Sequence, residues 1–326
     1  MKADNKAYKE LVDGVVKDRD DSKTNKGAIF NAGMYNYAKY GPLSPMTDIL
    51  SEKQMRNVLP QDLVNKFNTL LNYKHEVFYY GNKPMQDVVQ ILNAQHLTGS
   101  NLADYPPAKK YPELETKETK VLFVDYPMKQ TQIMFVSKDV PMSLSLMPQA
   151  RIFNEYFGSG LSSIVFQEIR ETKGLAYSAY ALYTSPAKKE DAHYVRAFVG
   201  CQADKMPEAI DAMMAIMQDM PRADDQFNNA VSSVEKQIES ERVKRAAIFW
   251  SYKSAQDMGI NYDYRRDIYL QARGITLDDL EDFYNTHISG RNYTILVMGD
   301  KSQINMDYLK KLGPVKELTL EEIFGY

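Results

Sequence analysis

The sequence predicts an α+β fold in which helices cover one face of a mostly antiparallel sheet. Three observations predict it: apolar strands joined by short connections, a block of helices that follows them, and an internal repeat. Of the 326 residues, 44% are apolar and 25% are charged, an ordinary balance for a globular protein. The net charge of −3 argues against a general nucleic-acid binder, which carries a basic face. Because no apolar run approaches ~18 residues, a membrane span is excluded.

The first 96 residues are predicted to be mainly helical. Helical spacing of apolar residues indicates two helices over 4–40, and Pro60 suits the first turn of a third helix. The stretch EVFYYG over 76–81 predicts a short buried strand, and a further helix follows near 84–94. Residues 97–117 are polar and contain three prolines, which predicts a linker.

Residues beyond the linker predict one complete α+β unit. The predicted strands are 120–126, 130–138, 175–184, 193–201 and 293–299. The predicted helices lie near 143–157, 161–172, 205–220, 224–243, 246–259, 262–286 (interrupted at Gly274) and 303–311.

An internal repeat relates the two parts of the chain. Residues 57–72 match residues 274–289 at an offset of 217, with identities at Asp62/Asp279, Leu63/Leu280, Asn68/Asn285 and Thr69/Thr286. Ala28-Ile29-Phe30 recurs as Ala247-Ile248-Phe249 at an offset of 219, and Gly81 falls on Gly299. A period this long indicates duplicated domains rather than a solenoid.

The repeat predicts how the chain divides into domains. Residues 1–96 are predicted to be a truncated first copy, 97–117 a linker, and 118–326 a complete second copy with a C-terminal tail. The first copy lacks its leading strands, so apolar helix faces and a strand edge would stay uncovered. The sequence therefore predicts a fragment, or a chain that needs a partner.

One segment resembles a known family. FNEYFGSGLSSIVFQEIRETKGLAYSAY, residues 153–180, is similar to the pitrilysin/insulinase zinc metallopeptidases, which include the mitochondrial processing peptidases. The resemblance implies a duplicated metallopeptidase-type fold and places this segment in the non-catalytic domain that faces the active domain across a closed chamber. It also implies that Arg170 and Tyr177 reach the peptide substrate.

The residues themselves are compatible with that role. Arg170 lies in the last turn of a helix predicted to end at Gly174, and Tyr177 follows early in the next strand. A guanidinium and a phenol suit a peptide carbonyl or a developing oxyanion. The alternatives are an arginine paired with a nearby carboxylate and a half-buried tyrosine of a strand. Gly158-Ser159-Gly160 could hold an anion, but without a phosphate-loop lysine pattern a tight turn between helices is favoured.

The zinc motif of the family, His-x-x-Glu-His, does not occur in this sequence. The four histidines are far apart along the chain, lone histidines are most often structural, and the single cysteine, Cys201, is predicted to be a small buried hydrophobe. No cofactor is therefore expected in this chain, and zinc is expected in the missing or partner half. We expect this chain alone to be inactive, although its parent or complex would hydrolyse peptide bonds.

The leading hypothesis is the non-catalytic, substrate-binding half of a zinc endopeptidase acting on unfolded or oligopeptide substrates. Its partners would be the peptide and the catalytic half, on the same polypeptide or on a partner subunit. The alternative is a peptidase-like structural or assembly subunit, and a third possibility is a stand-alone peptide-binding module. No targeting segment is visible, and the resemblance favours a periplasmic location.

Overall fold

The computed structural model describes residues 2–245 and 247–326 and contains a single six-stranded sheet within them. The strands are β1 (Lys120–Asp125), β2 (Gln130–Pro141), β3 (Ser178–Thr184), β4 (Ala192–Gln202), β5 (Thr294–Gly299) and β6 (Val315–Glu317). Their order across the sheet is β3-β4-β2-β5-β1-β6. The pairings β3–β4, β4–β2 and β2–β5 are antiparallel, whereas β1 runs parallel to β5 and β6. The predicted α+β fold with a mostly antiparallel sheet is confirmed.

Helices account for most of the remaining structure. The α-helices are α1 (Asn5–Thr24), α2 (Tyr35–Tyr40), α3 (Glu52–Asn57), α4 (Pro60–Thr69), α5 (Met85–Gln95), α6 (Met147–Phe153), α7 (Met206–Gln218), α8 (Asp224–Ser240), α9 (Ala247–Asp257), α10 (Arg265–Ala272), α11 (Leu277–His287), α12 (Met306–Leu312) and α13 (Leu320–Phe324). Three π-helical stretches are π1 (Ala28–Met34), π2 (Asn154–Gly158) and π3 (Phe166–Thr172). Short 3₁₀ turns occupy Leu70–Asn72, Leu144–Leu146 and Ala203–Lys205.

The central strands are buried on both faces, because successive side chains of a strand point to opposite sides. In β5, Ile295 and Val297 join the main core, where α6, α7, α8, α10 and α11 cover the sheet. Their neighbours Leu296 and Met298 face the other way and contact residues of π1, α2 and α13. Helices thus cover one face of the sheet, as predicted. The opposite face is covered as well, by π1 and α2 from the N-terminal part of the chain and by α13 from the C-terminal part.

The second half of the predicted linker is fixed to the folded unit. Residues 97–117 contain no helix or strand, but the Leu114 amide donates a hydrogen bond to the Lys39 carbonyl at 2.8 Å. Lys39 Nζ lies 2.8 Å from the Glu113 carboxylate, and the Ala192 amide donates to that carboxylate at 3.2 Å. The domain boundaries at 96 and 117 remain predictions.

One predicted strand is wrong. Residues 76–81 form no strand, and Val77, Phe78, Tyr79 and Tyr80 are each at least 40% exposed. A strand requires neighbours for its amides and carbonyls, and none of the six strands pairs with this segment. The predicted strand 175–184 begins too early, since β3 starts at Ser178. The elements α3, β6 and α13 were not predicted from the sequence.

A buried histidine predicts how stability depends on pH. His193 is fully buried, its ring stacks on Tyr183 at 5.0 Å, and its Nε2 accepts a hydrogen bond from the Ser143 amide at 3.0 Å. Burial lowers the pKa of His193, and the charge of His287 acts in the same direction against the opposing charge of Asp139. Below about pH 6.5 the unfolded chain therefore takes up a proton at this site more readily than the folded chain does.

We expect the free energy of unfolding to fall as the pH drops below about 6.5, by up to about 1.4 kcal/mol per pH unit for this site. Urea unfolding at pH 7.5, 6.5 and 5.5 measures the slope. His193→Gln keeps a polar atom for Ser143 but does not titrate, so it should flatten the slope over this range. Ser143→Ala, which keeps the backbone amide that donates to His193, should retain the slope of the unsubstituted chain. Equal slopes for all three proteins would contradict the assignment.

Candidate functional site

The corner between π3 and β3 carries both predicted site residues. The helix ends as predicted at Gly174, whose φ of +59° lies in the left-handed region that glycine adopts without strain. The Leu175 amide reaches back to the Ile169 carbonyl at 3.1 Å, and the Gly174 amide to the Arg170 carbonyl at 3.2 Å. These bonds satisfy the last carbonyls of the helix and turn the chain into β3.

Arg170 projects from this corner into solvent. Its side chain is 45% exposed, and its Nε lies 3.5 Å from Glu171, an exposed pair of the kind that contributes little energy. Its guanidinium lies over the Phe166 ring, with Cζ 4.8 Å from the centroid. The ring orients the guanidinium while leaving its donors accessible.

Tyr177 is held by its backbone and not by burial of its ring. Its amide donates to the Gly200 carbonyl at 2.8 Å, whereas the residue is 53% exposed. The hydroxyl oxygen accepts a hydrogen bond from Gln202 Nε2 at 3.0 Å. The hydroxyl hydrogen remains available to donate to another acceptor.

A surface groove of about 420 Å³ runs beside the corner, along β3. Its lining residues are Ser159, Gly160, Leu161, Phe166, Ser178, Ala179, Tyr180 and Leu182. Arg170 and Tyr177 do not themselves line it, but the ring under Arg170 and the residue after Tyr177 do. The structure therefore places both predicted residues at the rim of one groove.

Because β3 is an edge strand, one of its sides lacks a neighbouring strand. Much of that side is nevertheless covered by π2. Asn154 Oδ1 accepts from the Tyr183 amide at 2.7 Å, and its Nδ2 donates to the Tyr183 carbonyl at 3.0 Å, as a neighbouring strand would. Gly158 lies against the Ala181 carbonyl. The groove reaches β3 from Ser178 to Tyr180 and at Leu182.

Gly158-Ser159-Gly160 connects two helical segments, as predicted for a turn, but sequence reasoning missed its second property. A Cβ atom built at Gly158 would lie 1.3 Å from the Ala181 carbonyl oxygen. The glycine is required because π2 approaches β3 closely at this point. In the sequence, Gly158 indicates only a turn and does not indicate this close approach.

The histidines are arranged differently from the sequence expectation. Although 21 residues separate them, His75 and His96 lie side by side, with their Nε2 atoms 2.7 Å apart. His287 Nδ1 lies 2.6 Å from Asp139 Oδ2 inside the protein, a structural contact of the predicted kind. Among residues 2–245 and 247–326, no group of three or more His, Cys, Asp or Glu side chains could hold a metal ion.

Cys201 agrees with its prediction as a buried apolar residue. It is fully buried in the main core, and burial raises the pKa of its thiol to about 12. A thiol buried in this way is mainly protonated near neutral pH, as expected of a structural cysteine.

Comparison with known proteins finds one family model that matches just under half of the chain. Residues 74–233, which include the groove, Arg170 and Tyr177, match the family model described as the peptidase M16 inactive domain. Over these residues the chain is similar to the non-catalytic domain of the peptidase M16 family. The resemblance predicted from residues 153–180 is thereby confirmed. A search of curated proteins found no match.

Solved structures share the fold of this chain at low sequence identity. The M16 inactive domain from Pseudomonas fluorescens is 14% identical with a TM-score of 0.63, and the match covers 97% of this chain and 73% of that one. A conserved protein from Enterococcus faecalis V583 is 11% identical with a TM-score of 0.70, covering 92% and 69%. A protease from Helicobacter pylori is 16% identical with a TM-score of 0.65, covering 91% and 73%.

Two properties bear on what this chain can do. The residues present do not fit the zinc of the family, because the His-x-x-Glu-His sequence is missing and the described residues offer no alternative set of ligands. No helix of the described residues combines the length and the apolar character that crossing a membrane requires.

Proposed function

We propose that this chain is the non-catalytic, substrate-binding half of a zinc-dependent endopeptidase that hydrolyses unfolded polypeptides or oligopeptides. The observation that carries the proposal is the exposed arginine–tyrosine pair at the corner between π3 and β3. Arg170 and Tyr177 present unused donors at the rim of a groove, on an element that the backbone bonds of Gly174 and Leu175 hold in place.

The chemistry of the pair suits an extended peptide. A guanidinium donates up to five hydrogen bonds and a phenol one, so both can bind backbone carbonyls without reading the side chains of the substrate. The neighbouring groove, with Leu161 and Phe166 in its wall, can accept an apolar side chain. Broad sequence tolerance is the expected consequence.

The catalytic centre would belong to another part of the assembly. This chain supplies no zinc ligands in its described part, so its contribution is limited to holding and orienting the peptide. We propose that the catalytic half, on the same polypeptide or a partner subunit, closes over the face that carries Arg170. A periplasmic location of the assembly is part of this proposal and derives from the family resemblance alone.

Substitution of the pair tests the proposal directly. We expect Arg170→Ala to weaken binding of fluorescein-labelled, carboxymethylated lactalbumin about 10- to 100-fold, since a charge-assisted hydrogen bond contributes about 1.5–3 kcal/mol. Tyr177→Phe should weaken it by about 5-fold through loss of one neutral hydrogen bond. Fluorescence anisotropy measures the dissociation constants.

Lys173→Ala is the matched control, because Lys173 is an exposed cation at the same corner. It should change the dissociation constant less than 2-fold, and all three variants should keep the melting temperature. If Lys173→Ala weakened peptide binding as much as Arg170→Ala, the loss would reflect the removal of any positive charge at the corner and not a specific contact of Arg170. Unchanged binding in Arg170→Ala and Tyr177→Phe, with unchanged peptide turnover in the assembly isolated from its source, would instead favour the assembly subunit.

A further inference from the structure

Elements of the first 96 residues recur in the second part of the chain at the offsets of the sequence repeat. Helix α1 begins at Asn5 and α8 at Asp224, and π1 begins at Ala28 and α9 at Ala247, each 219 positions later. Helix α4 begins at Pro60 and α11 at Leu277, 217 positions later. Residues 76–81 correspond to the whole of β5, Thr294–Gly299. The contacts of each element in the second copy therefore indicate the contacts expected for its counterpart in the first copy.

Helix α4 exposes the apolar face that its counterpart buries. Leu63 and Phe67 are 45% and 53% exposed, whereas their counterparts Leu280 and Tyr284 are 0% and 1% exposed in the main core. Leu71, just after α4, is 47% exposed against 0% for Ile288. In the second copy the sheet covers these positions.

The contrast is sharper for residues 76–81. All six residues of β5 are buried, because β1 pairs with it in parallel on one side and β2 antiparallel on the other. Every residue from 76 to 81 is exposed, and none pairs with a strand. The sequence Val77-Phe78-Tyr79-Tyr80 has the β-branched and aromatic character of a central strand without the strands that would flank it.

Helix α9 already packs against residues 76–81, as π1 packs against β5. On the sheet of the second copy, the face opposite the main core is its outer face. Phe30 of π1, from the first copy, and Leu296 of β5 are both fully buried in the cluster on that face. Their counterparts are Phe249 of α9 and Phe78, and these two rings stack with centroids 4.8 Å apart. Lys253 of α9 also lies 3.0 Å from the Glu76 carboxylate. Thus π1 of the first copy packs on β5 of the second copy, and α9 of the second copy packs on residues 76–81 of the first.

We propose that residues 76–81 are an inner strand of a second sheet, completed by a β-sheet partner built like residues 118–205 of this chain. The partner supplies one strand parallel to 76–81 and one antiparallel to it, and its sheet lies between α4 on one face and α9 on the other. The docking surface consists of the exposed apolar residues Leu63, Phe67, Leu71, Val77, Tyr79, Ile248 and Trp250. This inference does not depend on the roles of Arg170 and Tyr177.

Two other occupants fit the surface less well. A single extended peptide would pair with one side of 76–81 and leave the faces of α4 and α9 bare. A second copy of this chain offers no vacant position between a β1 and a β2, because its own β5 fills that position. Its β3 edge is covered at Ala181 and Tyr183 by π2.

Hydrogen exchange at single-residue resolution separates these occupants, because successive amides of a strand point to opposite sides. An inner strand protects consecutive amides, whereas pairing on one side protects only alternate ones. We compare the recombinant chain with the native assembly purified from its source through a C-terminal tag on this chain. Amides 77–80 should exchange rapidly in the recombinant chain and at least 100-fold more slowly, all four, in the native assembly.

A proline variant supplies the second readout. Val77→Pro removes one amide donor, so it should abolish the protection of residues 78–80 in the native assembly. It should leave the melting temperature of the recombinant chain unchanged, since residue 77 is exposed and unpaired there. Leu97→Pro, at an exposed position of the predicted linker, is the control and should preserve protection.

Three outcomes would overturn the inference. Protection of alternate amides only would indicate a single strand or peptide. Protection in the recombinant chain that grows with its concentration would indicate self-association of this chain. Equal, rapid exchange in both preparations would show that residues 76–81 stay unpaired.

Discussion

Replacing Gly158 by alanine is expected to destabilise the fold by about 3 kcal/mol, because the new methyl group has no space. The Cβ would lie 1.3 Å from the Ala181 carbonyl oxygen and 2.5 Å from the carbonyl carbon, both backbone atoms of β3. Backbone atoms cannot rotate away as a side chain can, so π2 must separate from the strand. Separation would also break the two hydrogen bonds between Asn154 and Tyr183.

Gly14→Ala is the matched control for the Gly158 substitution. Gly14 lies inside α1, and a Cβ there meets no atom within 4 Å. Since alanine favours a helix over glycine, this variant should be stabilised by about 0.5–1 kcal/mol. Urea unfolding followed by circular dichroism measures both changes, and a loss below about 1 kcal/mol in Gly158→Ala would contradict the close approach.

The close approach at Gly158 shows where sequence reasoning stops. The central strands could be predicted because apolar runs such as Val121–Val124 and Ile133–Val136 are buried whatever covers them. A glycine pair between helices predicts a turn equally well whether or not a strand passes beside it. The distance between π2 and β3 is a tertiary property that no local pattern records.

Residues 76–81 show the opposite limit. Their local pattern is that of a strand, and the prediction failed because the neighbours that a strand needs are not among the strands of the described chain. The corner that carries Arg170 and Tyr177 could be predicted because it does not depend on distant neighbours. Its geometry depends on a helix end, a glycine and a strand start that follow one another within twelve residues of sequence.

A buried charge cluster lies beyond sequence reasoning altogether, because its members are scattered from residue 139 to residue 291. Asp139 Oδ2 accepts from the Tyr183 hydroxyl at 2.7 Å and lies 2.6 Å from His287 Nδ1. Its Oδ1 lies 2.8 Å from Arg291, and the Asp139 side chain is only 6% exposed. One carboxylate therefore joins β2, β3, α11 and the segment that precedes β5.

We expect Asp139→Asn to destabilise the fold by about 3–5 kcal/mol, because it leaves the Arg291 charge largely buried without its counter-charge. Asp204→Asn is the control: Asp204 is exposed, and its substitution should change the free energy of unfolding by less than about 0.5 kcal/mol. Urea unfolding at pH 7.5 measures both. A loss in Asp139→Asn no larger than that of the control would mean that the cluster does not stabilise the fold.

The pH dependence of Asp139→Asn separates the charge from the shape of the side chain. Burial opposes ionisation of Asp139, but the hydrogen bonds from His287 and Tyr183 and the charge of Arg291 outweigh it and lower the pKa of the carboxyl. The stabilisation is therefore present above the ordinary carboxyl range near pH 4 and is lost as the pH falls through the lowered value. The difference in unfolding free energy between the unsubstituted chain and Asp139→Asn should be large at pH 7.5 and shrink below pH 4. A difference that persists unchanged at pH 3 would assign the effect to packing of the side chain, since only the ionised carboxylate distinguishes the two proteins electrostatically.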